Sequence, residues 1–315
     1  MLTVWQAIVL GLVEGITEYL PVSSTGHLEI TADLLKLKAN PQAAAAVNTF
    51  NIVIQGGAIL AVLGLYFPRF VQMARGLFGR DNAGFQLLVN LVIAFIPAAL
   101  VGALLNKTIE AHLFHPVPVV LAFIVGGIYM ILVEARRSGR WGSPAWSYDR
   151  GGTIDDLSPL DALKIGCLQI LAMWPGTSRS MMTITGGYFA RLRPAAAAEF
   201  SFLLGMPTLL AATLYKLGKD YWHARQTGEP PFYTHLGAMP VLVGIVVAGV
   251  SAAIAVRWLV GFLNRRGLTS FGVYRILLGI TLIGLILGQL VSIAPDAEPE
   301  RPAPTPVTAP ATPRR

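Results

Sequence analysis

Residues 14–27 read EGITEYLPVSSTGH, and residues 175–183 read PGTSRSMMT. Each stretch interrupts a longer apolar run, the first from about 4 to 34 and the second from about 160 to 190. The breaks themselves, Pro21 to His27 and Pro175 to Ser180, are rich in Pro, Ser and Gly and carry ionisable side chains. Such clusters end helices and make turns. Each run therefore reads as a short apolar helix, a polar turn and a second short helix. Neither half reaches the ~20 residues needed to cross a bilayer core of roughly 30 Å. Two re-entrant helical hairpins are the economical reading, because non-helical backbone at membrane depth is tolerated only where protein or a wet cavity surrounds it.

Working outward, six further stretches are long and apolar enough to span: about 47–67, 86–105, 117–134, 197–217, 238–260 and 273–293. The whole composition agrees. Of 315 residues, 54% are hydrophobic and 13% charged, and the mean hydropathy is +0.60. A soluble domain carries about 25% charged residues, so the composition speaks against an ordinary water-soluble enzyme. The net charge of +7 would invite a nucleic-acid partner in a soluble chain. Here the basic residues sit between apolar runs, as on a cytoplasmic membrane face, and nucleic acid is set aside. Cys167 is the sole cysteine, which closes intrachain disulfides and cysteine-ligated zinc. The N-terminus lacks the basic start and small-residue cleavage site of a secretory signal, so it is expected to be kept.

The order is hairpin, three spans, hairpin, three spans. The halves share Pro21-x-Ser-Ser and Pro175-x-x-Ser-Arg-Ser, each followed at a similar offset by a Phe-led helix at Phe50 or Phe200. Three spans per half turn the second half upside down. The expected fold is thus an all-α polytopic membrane protein built as an inverted repeat, an architecture that sets two broken helices face to face at the midplane. Residues 1–294 form a single membrane domain, with repeat 1 at about 1–135 and repeat 2 at about 158–294. The Pro-rich tail 295–315 reads as disordered. Twelve Lys and Arg residues fall in connections on one side and six on the other, which makes the first side cytoplasmic. The termini and the first hairpin then face outward. His112 and His115 read as solvated residues of a short outer loop, and Trp5, Trp141, Trp146 and Trp222 as interface anchors.

Glu14 and Glu18 lie four apart in an otherwise apolar helix, so both carboxylates share one face. A charged side chain at membrane depth costs about 2.5–3.5 kcal/mol on insertion scales. Two side by side call for a cavity, a proton or a cation, and oxygen donors of this kind suit Mg²⁺ or Ca²⁺. Ser24 and His27 follow in the turn, where a hydroxyl or an imidazole could act as nucleophile or acid/base. Helix capping is the plainer role for Ser23 and Thr25. In the other hairpin, Ser178, Arg179 and Ser180 open a helix, with Thr183 one turn on. Their hydroxyls, backbone N–H groups and guanidinium suit a phosphate. Arg275 is a further candidate phosphate ligand or a residue of the cytoplasmic rim. A lipid carrying phosphate fits this set, and residue chemistry alone leaves open whether it is cleaved or moved.

These motifs closely resemble the two signatures of the bacterial undecaprenyl-diphosphate phosphatase family (BacA/UppP). FNIVIQGGAIL at 50–60, EFSFLLGMP at 199–207 and VYRILLG at 273–279 extend the similarity over roughly residues 1–293. The resemblance implies hydrolysis of undecaprenyl diphosphate to undecaprenyl phosphate and inorganic phosphate, which recycles the lipid carrier of cell-wall synthesis and confers bacitracin resistance. It implies a divalent cation, a bacterial inner membrane and a site open to the periplasm, and a homodimer is compatible with it. In family terms Glu14 and Glu18 serve metal binding or proton transfer, Ser24 and His27 attack or acid/base work, and Arg179 with Ser178 and Thr183 phosphate binding. The alternative from another class is a flippase for undecaprenyl phosphate.

Overall fold

The computed structural model describes residues 2–38, 40–113, 115–140, 151–228 and 236–288. The tail at 295–315, together with Trp141 and Trp146, lies outside these residues. Among the described residues all extended regular structure is helical, and an isolated bridge joins Gly152 to Leu192. Helices α1 (Val4–Thr17) and α2 (Ser24–Leu34) flank the first break. Helix α7 (Pro159–Ile170), a 3₁₀ turn at Leu171–Met173, and α8 (Arg179–Phe189) flank the second. Between and after them run α3 (Pro41–Leu65), α4 (Phe67–Leu77), α5 (Asn82–Leu113), α6 (Pro116–Arg137), α9 (Pro194–Thr227), α10 (Ala238–Arg266) and α11 (Thr269–Leu287).

Six of these, α3, α5, α6, α9, α10 and α11, are long and apolar enough to cross a membrane. They match the six expected spans within a few residues at most ends. Helices α5 and α9 run further than expected, to Leu113 and Thr227. The polar stretch after 105 continues the backbone ladder instead of leaving it, so His112 sits on the last turn of α5, not in a loop. Both His112 and His115 are exposed. Trp5 and Trp222 are exposed as well, as anchors at a membrane boundary should be. Large apolar side chains such as Leu60, Leu100, Val125, Leu214, Ile254 and Leu277 also face outward. An apolar belt of this extent marks a lipid-facing surface. Arg69 and Arg75, expected in a connection, belong to α4, which buries Met73 and Gly76 and leaves Arg75 exposed.

The short helices pack by backbone proximity. A Cβ added at Gly11 would stand 2.8 Å from the Gly244 carbonyl oxygen of α10, and one at Gly166 only 2.4 Å from the Ala94 oxygen of α5. Small residues are what permit such approach between membrane helices. Helix α1 therefore lies along α10, and α7 along α5. A register recurs between them. The side chains of Thr3 and Ser158 cap α1 and α7. Ser23 and Ser178, at φ 72° and 79°, immediately precede α2 and α8. The pairs Thr3/Ser158, Ala7/Ala162, Gly11/Gly166 and Ser23/Ser178 are all 155 positions apart (158 − 3, 178 − 23). The main core joins the two halves through Tyr19, Val22, Met181, Ile184, Phe200 and Phe202.

Polar contacts tie segments at the ends of the spans. Arg69 donates to Glu199 at 2.7 Å and to Asp155 at 3.1 Å. Glu134 pairs with Arg137 at 2.5 Å and accepts from the Leu268 N–H at 3.1 Å, while Arg137 lies over the Tyr188 ring.

Candidate active site

The two breaks meet. Each second helix begins from a serine in the left-handed region, a conformation that costs a non-glycine residue on the order of 1–3 kcal/mol and concentrates at functional sites. Ser178 offsets part of that cost by accepting from the Met181 N–H. Ser23 makes no such side-chain bond, although it occupies the cap position. Thr25 is exposed on α2. The capping roles read for Ser23 and Thr25 are thus corrected: Ser23 stands at the cap position without bonding a helix N–H, although Ser178 at a similar φ does so.

Glu18, just past the end of α1, is the hub. Its Oε2 accepts from Ser24 Oγ at 2.5 Å, and its Oε1 accepts from Arg179 Nη2 at 3.1 Å. A carboxylate of the first break is thereby shared between a hydroxyl of that break and a guanidinium of the second. Arg179 also donates to the Ser201 carbonyl oxygen at 3.2 Å, and its charge lies 5.8 Å from the centre of the Tyr19 ring. Tyr19 is pinned by its hydroxyl to the Ala58 carbonyl oxygen at 3.0 Å. Room for the guanidinium comes from Gly205 on α9, where an added Cβ would stand 2.1 Å from Arg179 Nη1.

Glu14, one turn before Glu18, is fully buried, and neither of its carboxylate oxygens has a hydrogen-bond partner among the described residues. A buried orphan carboxylate is costly unless something pairs with it. Its donors are hard oxygens beside those of Glu18, which suits a hard divalent cation. No group of three or more His, Cys, Asp or Glu suited to a metal occurs among the described residues. Glu14 and Glu18 are oxygen donors of the kind a Mg²⁺-like ion takes, one or two protein carboxylates with water and substrate phosphate completing the shell.

The remaining predicted residues divide. Ser180 donates to the Leu20 carbonyl oxygen at 2.8 Å and contacts Ser178 Oγ at 3.1 Å, stitching α8 to the first break. Thr183 is fully buried and bonded to Ser201 Oγ at 2.6 Å. His27 lies one turn after Ser24, with Nδ1 2.7 Å from the Ser23 carbonyl oxygen and Nε2 2.6 Å from the Tyr274 hydroxyl. Arg275 is not brought to Glu18, nor is it on a rim. It is fully buried, and its guanidinium donates to the carbonyl oxygens of Gly176 at 2.7 Å, Ala122 at 2.8 Å and Pro21 at 3.5 Å, 5.2 Å from the Phe123 ring centre. It grips both breaks through their backbones. Gly205, Ser201, Tyr19 and Tyr274 were not singled out from the sequence. Their roles depend on which helix faces which, and no periodicity signals that.

The arrangement can deprotonate a hydroxyl beside a fixed positive charge in a buried site, which is what attack on a phosphorus centre requires. The profile of the family described as "Bacitracin resistance protein BacA" matches residues 7–281. A protein of Neisseria meningitidis serogroup C named "Undecaprenyl-diphosphatase" is 40% identical over 92% of this chain and 98% of its own length. "Undecaprenyl-diphosphatase 2" of Rhodospirillum rubrum is 45% identical over 91% and 96%. The Clostridium tetani "Undecaprenyl-diphosphatase" is 36% identical over 93% of this chain and its full length. With a profile match over most of its length and relatives covered almost end to end, the chain belongs to the BacA family.

Proposed function

We propose that this protein hydrolyses undecaprenyl diphosphate to undecaprenyl phosphate and inorganic phosphate. The observation that carries the reading is the Glu18 carboxylate held between Ser24 Oγ and Arg179. Ser24 gives its proton to Glu18 as its Oγ forms a bond to the terminal phosphorus. The bridging P–O bond breaks, and undecaprenyl phosphate leaves with that oxygen. Water then cleaves the phosphoserine to release inorganic phosphate and restore the hydroxyl. Arg179 neutralises charge on the phosphoryl oxygens, the kind of stabilisation that dominates phosphoryl transfer. His27, bonded through both ring nitrogens, is better suited to moving a proton than to attacking phosphorus. Glu14 with Glu18 would hold a divalent cation, which when bound would further neutralise the diphosphate. Ser178, Ser180 and Thr183 shape the N-terminal turn of α8 around Arg179.

In the same reading the chain is an inverted repeat of a re-entrant hairpin and three spans per half. The recurrence of caps, packing glycines and left-handed serines at one offset supports it, as does the pairing of α1 with α10 and α7 with α5. The excess of Lys and Arg on one side supports a bacterial inner-membrane protein whose site opens to the periplasm, where recycling the carrier would confer bacitracin resistance. Repeats of this kind also occur in transporters, so lipid flipping is the second reading.

Phosphate release by detergent-purified protein separates the two, since no transport is possible in micelles. Release that depends on Mg²⁺ or Ca²⁺ and is lost in Glu18→Gln and Arg179→Ala is expected. No release from well-folded wild type would leave transport as the activity.

A further inference from the structure

Tyr274 takes no part in the chemistry above, yet its hydroxyl lies 2.6 Å from His27 Nε2 across 247 positions of sequence. The other ring nitrogen fixes the sense of that bond. Nδ1 faces the Ser23 carbonyl oxygen at 2.7 Å, and a carbonyl oxygen only accepts, so Nδ1 carries the proton. The neutral imidazole then has its lone pair on Nε2, and Tyr274 donates to it. The two rings are nearly parallel, at 10° with centroids 5.8 Å apart, and Phe123 meets the His27 ring edge-on at 6.1 Å.

The next residue on α11 is Arg275, bonded to carbonyl oxygens of both breaks. That clamp fixes α11, and with it the backbone that carries Tyr274, against both breaks. Tyr274 itself is 43% exposed. Burial of an apolar ring does not explain its placement, whereas the hydrogen bond does.

We propose that Tyr274 is a positioning residue for His27: the Ser23 carbonyl oxygen sets the Nδ1–H tautomer, and the tyrosine hydroxyl, donating to Nε2, holds the plane of the ring. This rests on the reading of His27 as an acid/base group. Tyr274 acts only through His27.

The test uses the full chain in detergent, as wild type, Tyr274→Phe, His27→Ala and the double variant, with ¹⁵N-histidine spectra and phosphate release. The wild-type His27 signals, assigned by their loss in His27→Ala, should show a protonated Nδ1 and an unprotonated Nε2. In Tyr274→Phe the Nδ1–H tautomer should persist, held by Ser23, while the Nε2 resonance moves toward that of an imidazole nitrogen with no hydrogen bond. Loss of one hydrogen bond should lower kcat about 3- to 10-fold with KM within twofold, and the same substitution should cost nothing more in the His27→Ala background. An unchanged Nε2 resonance with unchanged kcat would overturn the proposal. So would an equal fold loss in both backgrounds, which marks a structural role. Full activity of His27→Ala would remove the acid/base reading, while the Nε2 resonance would still decide whether Tyr274 holds the ring.

Discussion

Gly205→Ala is expected to disable the enzyme without unfolding it. The added methyl would stand 2.1 Å from Arg179 Nη1, 2.7 Å from its Cζ and 2.9 Å from Nη2. Non-bonded heavy atoms settle at about 3.5–4.0 Å, so the guanidinium must retreat by about 1 Å or more. Its bond to Glu18 is already 3.1 Å long, and such a retreat takes it beyond hydrogen-bond range. A misplacement of ~1 Å in a reacting constellation can cost about 100-fold, and loss of one charge-stabilising donor costs about 10²–10³ in kcat. The backbone effect runs the other way, because alanine is favoured over glycine inside a helix by about 0.8–1.0 kcal/mol. Phosphate release measured against substrate concentration should show kcat reduced about 100-fold, while the detergent-purified variant elutes as wild type and unfolds at a similar temperature. Activity within threefold of wild type in a well-folded variant would refute the claim that Arg179 acts from the position it holds against Gly205.

Ser24→Ala should abolish turnover to the background of the assay while leaving substrate binding, measured by protection against thermal unfolding, largely intact. Glu14→Gln should raise the Mg²⁺ or Ca²⁺ concentration needed for half-maximal phosphate release more than it alters KM for the lipid, and EDTA should silence the wild type reversibly. Gly267→Ala should destabilise the fold by ~1–3 kcal/mol from backbone strain alone, since Gly267 has φ 63° and ψ −155° and its Cβ would fall within 2.5 Å of the Glu134 carboxylate. A melting temperature equal to wild type would contradict this. Asp161, outside the six spans, is held below its ordinary 3.8 by hydrogen bonds from Lys164 and Ser158. A lowered folded pKa means that its stabilisation is complete above pH 3.8 and vanishes as pH falls through the lower value. Asp161→Asn should therefore flatten the acid limb of thermal stability with little effect at pH 7.

The spans were legible because a run of some 20 apolar residues has few other uses, and the breaks because Pro, Ser and Gly cannot extend the helices around them. Glu14 and Glu18 were legible for the same energetic reason: carboxylates in an apolar helix need an explanation. What escaped was whatever depends on partners distant in sequence. Arg275 looked like a phosphate ligand or a rim residue because a charged side chain gives no hint that three backbone carbonyls will hold it. Ser23 looked like a cap because its type suits one, and residue type does not set the rotamer that would bring its hydroxyl to a helix N–H. Aligning the halves on Pro21 and Pro175 was one residue out of register with the left-handed serines, since Thr177 lengthens the second turn. The eight residues after 105 looked like a loop because five of them are polar, yet polarity does not end a helix that reaches water.

The most direct test of the central claim is to quench the enzyme during turnover in SDS at neutral pH, where phosphoserine and phosphohistidine both survive, and to map the phosphoryl group by mass spectrometry. The account predicts phosphorylation of Ser24, absent in Glu18→Gln and Arg179→Ala. A phosphoryl group on His27, or turnover with none on the protein, would contradict it.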